Sequence, residues 1–104
     1  MRKRKRALER AQNRALAKIT RDLERLAVHA PGGSAERAIV ITSPSEVEVQ
    51  AKAMPCAICR GAVRVEEHTA ETVGAARVRV AKVVCTVCRA PRSIYFRLAS
   101  TTLS

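Results

Sequence analysis

Apolar residues near the start of the chain recur at the spacing of an α-helix. They are three, four and three residues apart, at Leu16, Ile19, Leu23 and Leu26. This a/d spacing forms one stripe on a helix, and no Gly or Pro interrupts the surrounding sequence. The pattern predicts a helix of about six turns within residues 1–30. The stripe covers only two heptads and is too short to predict a coiled coil, so we expect it to dock on the rest of the chain or on a partner.

The next segment, residues 31–53, predicts a joint followed by extended structure. Pro31, Gly32 and Gly33 provide a helix stop and a flexible joint. A β-branched run at 38–42 predicts a short strand. After a Ser-Pro-Ser break, apolar and polar residues alternate strictly from 46 to 53, which predicts a second strand with one packed face. The two strands could form a hairpin or one bent arm.

Residues 54–99 predict a small antiparallel sheet. Alternating residues from Ala62 to Glu66 indicate an outgoing strand, and Gly74 marks the tip region of a hairpin. A valine-rich return strand follows at 78–84, and the residues 93–98 form a third strand. The predicted fold class is therefore α+β: a basic N-terminal helix, a short extended arm, a three-stranded antiparallel sheet and a tail at 100–104.

All four cysteines fall in two Cys-x-x-Cys pairs. Cys56 and Cys59 form the first pair, and Cys85 and Cys88 form the second, 25 residues further on. Each pair can present two sulfurs from one tight turn, and the segment between them is long enough to return as a hairpin. The spacing predicts one structural zinc bound by four thiolates. Metal binding of this kind can supply folding free energy on the order of 10 kcal/mol, which a chain with only two aromatic residues needs.

Other uses of the cysteines stay open at the level of sequence. A rubredoxin-like iron site also uses two such pairs, although this chain is basic and nearly free of aromatic residues. A thioredoxin-like redox pair would need one Cys-x-x-Cys at a helix start after a strand. Unmetallated buried cysteines are the third alternative. Two matched pairs with no stray cysteine favour the zinc site.

A knuckle, a hairpin, a second knuckle and a closing strand together resemble the zinc-ribbon family over residues 54–99. The resemblance implies the ribbon fold and a structural zinc, and it implies no particular process. In the usual knuckle a Gly directly follows the second cysteine, but Arg60 and Arg89 stand there in this chain. Either each Arg adopts a left-handed conformation or the turns differ from the usual form.

Positive charge is concentrated at the N-terminus. The chain of 104 residues has a net charge of +11, and residues 1–30 hold ten Lys/Arg against three acidic residues. This excess of positive charge favours binding to polyanions such as nucleic acid. The alternative is that the basic residues only form a solvated surface. No secretory apolar region follows the basic run and no stretch has transmembrane length, so we expect a reducing, cytoplasmic location. An organelle transit peptide is a further alternative, against which three acidic residues count.

We found no phosphate-binding loop, nucleophile elbow or catalytic carboxylate motif, so we expect neither an enzyme nor a small-molecule substrate, and no membrane partner. We expect His68 to be a surface or half-buried hydrogen-bonding residue and Glu66, Glu67 and Glu71 to form cross-strand charge pairs. The favoured function is nucleic-acid binding, through phosphate contacts and one aromatic ring. The candidate residues are Arg2, Lys3, Arg4, Lys5, Arg6, Arg60, Arg64, Arg89, Arg92, Tyr95 and Arg97. The alternative is a protein-docking subunit that uses the helix stripe and the strand edges.

Overall fold

The computed structural model describes residues 2–99, without the side chains of Arg2 and Lys3, so the predicted tail lies outside the described residues. The fold is α+β, as the sequence predicts. Its helices and strands, in chain order, are α1 (Arg2–His29), β1 (Ile39–Ile41), α2 (Glu46–Ala53), β2 (Val63–Val73), β3 (Ala76–Cys85) and β4 (Pro91–Leu98). A 3-10 turn at Ala35–Arg37 precedes β1.

The long helix α1 confirms the predicted N-terminal helix and extends it to 28 residues. Every described side chain from residue 4 to residue 19 is exposed, and half-buried residues such as Leu23 and Ala27 are concentrated in the last turns. The molecule is accordingly elongated, with extents of 74 × 24 × 17 Å. Of the predicted stripe, only Leu23 is half-buried; the other three residues are exposed.

The sheet has four strands in the order β1-β4-β3-β2, so the prediction of three antiparallel strands is incomplete. The predicted outgoing, return and closing strands are present as β2, β3 and β4 and pair antiparallel. The β-branched run forms β1, which pairs in parallel with β4 and aligns Ile39 with Phe96. The parallel direction is possible because α2, β2 and β3 together make the long connection that parallel neighbours require.

The predicted second strand is wrong, since Glu46–Ala53 forms α2. Val47 and Ala51, four residues apart, are fully buried, whereas Val49 between them is 69% exposed. The Glu46 carboxylate accepts hydrogen bonds from the backbone N–H groups of Thr42 and Ser43, at 2.6 and 2.8 Å. Ser43 and Glu46 have the spacing of a capping box, which is a sequence signal for the start of a helix. The strict alternation of apolar and polar residues from 46 to 53 favoured a strand over this signal.

The core is small and lies between α2 and one face of the sheet. Its largest fully buried side chain is Phe96, which packs with residues from β1, α2, β3 and β4, namely Ile41, Val47, Ala51, Ala81, Val83 and Ile94. Met54, Val63 and Val65 pack against this cluster and lead from the core to the first cysteine pair.

The joint after α1 is tied to the sheet by backbone hydrogen bonds. Gly32 is buried with φ of +80°; its carbonyl accepts from the Tyr95 N–H at 2.8 Å. A Cβ on Gly32 would lie 2.9 Å from the Ile39 side chain, and one on Gly33 only 1.9 Å from the Ala27 carbonyl oxygen. The two glycines therefore allow the helix end to approach β4 closely, which fixes where α1 leaves the sheet.

Candidate metal centre

The two cysteine pairs sit on knuckles with the same backbone hydrogen-bond pattern. In the first, the Arg60 N–H donates to the Cys56 carbonyl at 2.9 Å; in the second, the Arg89 N–H donates to the Cys85 carbonyl at 3.1 Å. The Cys56 N–H also donates to Gly61, as the Cys85 N–H does to Ala90. Each knuckle therefore folds as a closed local turn.

The four sulfur atoms converge on one point between the knuckles. Cys56 Sγ lies 3.6 Å from Cys88 Sγ, Cys59 Sγ lies 3.4 Å from Cys85 Sγ, and all four are within 4.8 Å of one another. A tetrahedral site with metal–sulfur bonds of about 2.3 Å has sulfurs about 3.8 Å apart. The cluster fits one tetrahedral metal ion, which all four protein ligands would enclose.

Backbone N–H groups donate hydrogen bonds to the cysteine sulfurs and favour their thiolate form. The Gly61 N–H points at Cys59 Sγ from 3.4 Å, and the Val87 N–H points at Cys85 Sγ from 3.3 Å. The backbone N–H of Cys88, followed by that of Val87, lowers the pKa of Cys85 to about 6 despite its burial. This shift favours the thiolate form of Cys85, the form that binds metal.

Cys88 shows the opposite shift. The backbone N–H of Ala90 lowers the pKa of Cys88, but burial and the three neighbouring thiols together outweigh it and raise the pKa to about 12. Four sulfurs this close cannot all lose their protons without a cation, because the negative charges repel. A divalent metal would replace those protons, so the donor set itself favours occupation by a metal.

Both arginines that follow the second cysteine of a pair adopt a left-handed conformation. Arg60 has φ of 65° and Arg89 has φ of 64°, and they are the only non-glycine residues with positive φ among residues 2–99. The first of the two alternatives for the knuckles is therefore confirmed. Both turns therefore place a side chain, with its strain, at a backbone conformation that favours Gly.

A third arginine lies close to the metal centre. Arg92 on β4 is half-buried, and burial lowers the pKa of its guanidinium while Cys56 opposes that shift. It lines an apolar groove of about 420 Å³ between the end of α1 and the first knuckle, together with Val28, Ala57 and Tyr95. The two ion pairs found among the described side chains do not include Arg92.

The remaining predicted nucleic-acid residues are dispersed. Arg64 on β2 forms an ion pair with Glu66 at 3.0 Å. Tyr95 on β4 lines the same groove as Arg92, whereas Arg97, two residues further along the strand, is exposed. Arg4, Lys5 and Arg6 lie near the far end of α1, about 40 Å of helix away from the joint. The side chains of Arg2 and Lys3 lie outside the described residues.

Of the three acidic residues expected to pair across strands, Glu67 does so, with Lys82 at 3.6 Å. Glu66 instead pairs within its own strand, and Glu71 accepts from the Thr69 hydroxyl. His68 is half-buried as predicted, but its Nε2 atom has no hydrogen-bond partner among the described residues. It lies five residues along β2 from Val63, about 17 Å from the knuckle end, so it takes no part in the metal centre.

A basic stripe on α1 escaped the sequence analysis. Its spacing of four, four, three and four residues places five cations on one helix face, at Arg10, Arg14, Lys18, Arg21 and Arg25. All five are exposed, and neither ion pair found among the described side chains involves α1. The stripe lies opposite the apolar one, and its spacing was visible in the sequence.

Comparison with protein-family models, with curated proteins and with solved structures finds no match to this chain. The resemblance to zinc ribbons rests on the knuckles and the hairpin alone. Within residues 2–99, no helix combines the length and the apolar character needed to cross a membrane.

Proposed function

We propose that this chain is a non-enzymatic zinc-binding module that contacts nucleic acid. Four cysteine thiolates in tetrahedral reach of one point are the ligand set of structural zinc sites, and they leave no position open for a substrate. The metal would hold the two knuckles together and thereby fix β2, β3 and β4. The metal would therefore have a structural role, and exposed side chains would recognise the nucleic acid.

The observation that carries the nucleic-acid proposal is the basic stripe of α1. Five exposed cations follow one face of the helix over about four turns, so they can contact several phosphates of one polyanion at once. No acidic side chain of the described chain neutralises them through an ion pair. An exposed, unpaired row of cations gains most from a polyanion, through the release of its condensed counterions.

Arginines at the other end of the molecule support the same proposal. Arg60 and Arg89 project from the knuckles as exposed side chains, and Arg92 lines the groove between them and α1. Tyr95 in the same groove offers a ring, and exposed Arg97 on β4 offers a guanidinium, for an unpaired base. The stripe would supply affinity and the ribbon would supply selectivity.

A test is the salt dependence of binding to a generic duplex DNA and a generic single-stranded RNA. The variant carries Arg14→Gln, Lys18→Gln and Arg21→Gln, all on the stripe. The matched control carries Arg37→Gln, Lys52→Gln and Arg77→Gln, three exposed cations outside α1 with the same loss of charge. If each stripe residue holds one phosphate, the log–log salt slope for duplex DNA should fall by roughly 3 in the variant and much less in the control.

Equal effects of variant and control would mean that only net charge matters and would reject the stripe as the interface. Absence of wild-type binding at about 150 mM salt, where non-specific binders retain roughly micromolar to 100 μM affinity, would reject the nucleic-acid proposal. The second candidate, a protein-docking module, is favoured by the exposed apolar residues Leu16, Ile19 and Leu26.

A further inference from the structure

An acidic and a basic side chain border the groove beside the metal centre without pairing with each other. Glu24 on α1 and Arg92 on β4 both line this groove of about 420 Å³. Neither takes part in the two ion pairs found among the described side chains. Opposite charges that share a groove and leave each other unpaired are available to a ligand that lies between them.

The rest of the groove is mainly apolar. Val28 of α1, Ile58 of the first knuckle and Pro91 of β4 contribute to its walls, and half-buried Tyr95 adds an aromatic ring. Its volume lies within the range of roughly 300–1,000 Å³ of small-ligand sites, which combine apolar walls with a few polar groups. Such a groove fits a flat molecule with apolar faces and polar edges, since a planar ring can stack on Tyr95.

The two charges select the chemistry of that molecule. A phosphate or a carboxylate would be attracted by Arg92 but repelled by Glu24, and an ammonium group would meet the reverse. A nucleobase is uncharged and carries both hydrogen-bond donors and acceptors on its edges. Guanine offers O6 and N7 to a bidentate guanidinium, and its N1–H and N2–H groups can both donate to one carboxylate. Adenine, cytosine and uracil lack at least one of these two pairs.

The groove also lies next to the basic stripe of α1. Arg21 of the stripe precedes Glu24 by three residues, which makes the two neighbours on the helix surface, and Arg25 of the stripe follows Glu24 directly. A strand whose phosphates contact the stripe can therefore place one base in the groove. The base must be unpaired, because a duplex uses the N1–H and N2–H groups of guanine for base pairing.

We infer that the groove between α1 and the first knuckle binds one unpaired guanine of a single-stranded nucleic acid. Arg92 donates to O6 and N7, Glu24 accepts from N1–H and N2–H, and Tyr95 contacts the face of the base. This inference rests on the proposed function and names its substrate. It also gives Glu24 a role in specificity, although the sequence analysis singled out only basic and aromatic residues for this interface.

The experiment is a fluorescence-anisotropy titration of the full-length, metal-loaded chain at about 150 mM salt. The probes are labelled strands of about nine nucleotides, in a uridine RNA and a thymidine DNA background, with one central guanine, adenine, hypoxanthine or 7-deazaguanine. The guanine strand should bind at least about tenfold more tightly than the adenine strand, as expected for bidentate recognition. Hypoxanthine lacks the N2 amino group and 7-deazaguanine lacks N7, so each should bind more weakly than guanine by about fivefold or more.

Two variants assign these losses to side chains. Arg92→Gln should remove the penalty for 7-deazaguanine, and Glu24→Gln should remove the penalty for hypoxanthine. The matched controls are Arg77→Gln and Asp22→Asn, which make the same charge changes at exposed positions outside the groove lining. Both controls should keep the wild-type preference for guanine, even where the change in net charge alters the affinity for all strands.

Equal wild-type binding of the guanine and adenine strands in both backgrounds would overturn the inference and leave the proposed function intact. Binding to none of the strands would reject both. Penalties that persist unchanged in Arg92→Gln and Glu24→Gln would also overturn the inference, and the base analogues remain decisive with the wild type if a variant fails to fold. Free guanosine monophosphate that competes as well as the guanine strand would overturn the assignment to a strand.

Discussion

Arg60 and Arg89 occupy the same position of the two knuckles and share the same left-handed backbone, with φ of 65° and 64°. Each N–H donates to the carbonyl of the first cysteine of its own pair. A side chain in this conformation costs about 1–2 kcal/mol, which the backbone hydrogen bonds of the closed turn must offset. The chain thus keeps an exposed charged residue, directly after the second cysteine of each pair, at a backbone position that favours Gly.

Arg89→Gly should raise the unfolding free energy of the metal-bound protein by about 0.5–1 kcal/mol, because Gly adopts positive φ without strain. Arg60→Gly should act in the same direction. Chemical denaturation at constant metal concentration measures the change. Arg97→Gly is the control, since β4 is extended there and loss of a strand side chain should lower stability. Destabilisation by both knuckle variants would contradict this prediction. It would show that the arginine side chains stabilise the protein by more than the strain of the left-handed backbone destabilises it.

Cys85→Ser should abolish stable metal binding, because it removes one of four ligands and breaks the tetrahedral set. Metal analysis of the purified wild type should give one zinc per chain, and the variant should give far less and unfold without a cooperative transition in the ribbon. Val87→Ala, an exposed change in the same knuckle, should retain the metal. Iron in the wild type, or an intact fold without metal, would contradict the assignment.

Val47→Ala should lower the unfolding free energy by roughly 2 kcal/mol, since it removes two buried methyl groups beneath α2. Val49→Ala should change it by less than about 0.5 kcal/mol, because that side chain is exposed. The two variants distinguish a helix from a strand at this position. In a strand both valines would lie on one face, whereas in a helix they lie on different faces. Similar losses at both positions would reject α2.

Glu46→Gln should destabilise the protein at neutral pH and have no effect in acid. Backbone N–H groups of Ser43 and Thr42 lower the pKa of Glu46 below its ordinary value of 4.5. The carboxylate therefore contributes its full stabilisation above the unfolded-state pKa and loses it as the pH falls through the lower folded-state pKa.

The measurement is the denaturation midpoint of wild type and of Glu46→Gln at a series of pH values from 7 downward. The two proteins are compared at each pH, because acid release of the metal then affects both equally. Glu48→Gln is the control, because among the described residues no hydrogen bond is found for the Glu48 side chain. A difference between wild type and Glu46→Gln that persists unchanged at the lowest pH would exclude the capping carboxylate as its source.

Elements that depend on local interactions could be predicted from the amino-acid sequence. Helix α1 follows from an uninterrupted helical pattern, and the hairpin follows from alternating valines on either side of Gly74. The cluster of four cysteines follows from the two Cys-x-x-Cys pairs, because two such turns with a hairpin between them can bring four sulfurs together. In each case the interactions lie within a few residues or within one hairpin, and their periodicity is visible along the chain.

Other features could not be predicted from the sequence, because they depend on contacts between residues that are distant along the chain. Glu46–Ala53 alternates like a strand, but burial of Val47 and Ala51 on the sheet and the Glu46 cap favour a helix. Strand β1 pairs with β4, more than fifty residues later, since Ile39 and Ile41 need an apolar edge. The exposure of Leu16, Ile19 and Leu26 also depends on tertiary structure. The hydrogen bond between Gly32 and Tyr95 fixes where α1 leaves the sheet and therefore what can cover these side chains. Periodicity shows that a face is apolar, and only the assembled fold shows what covers it.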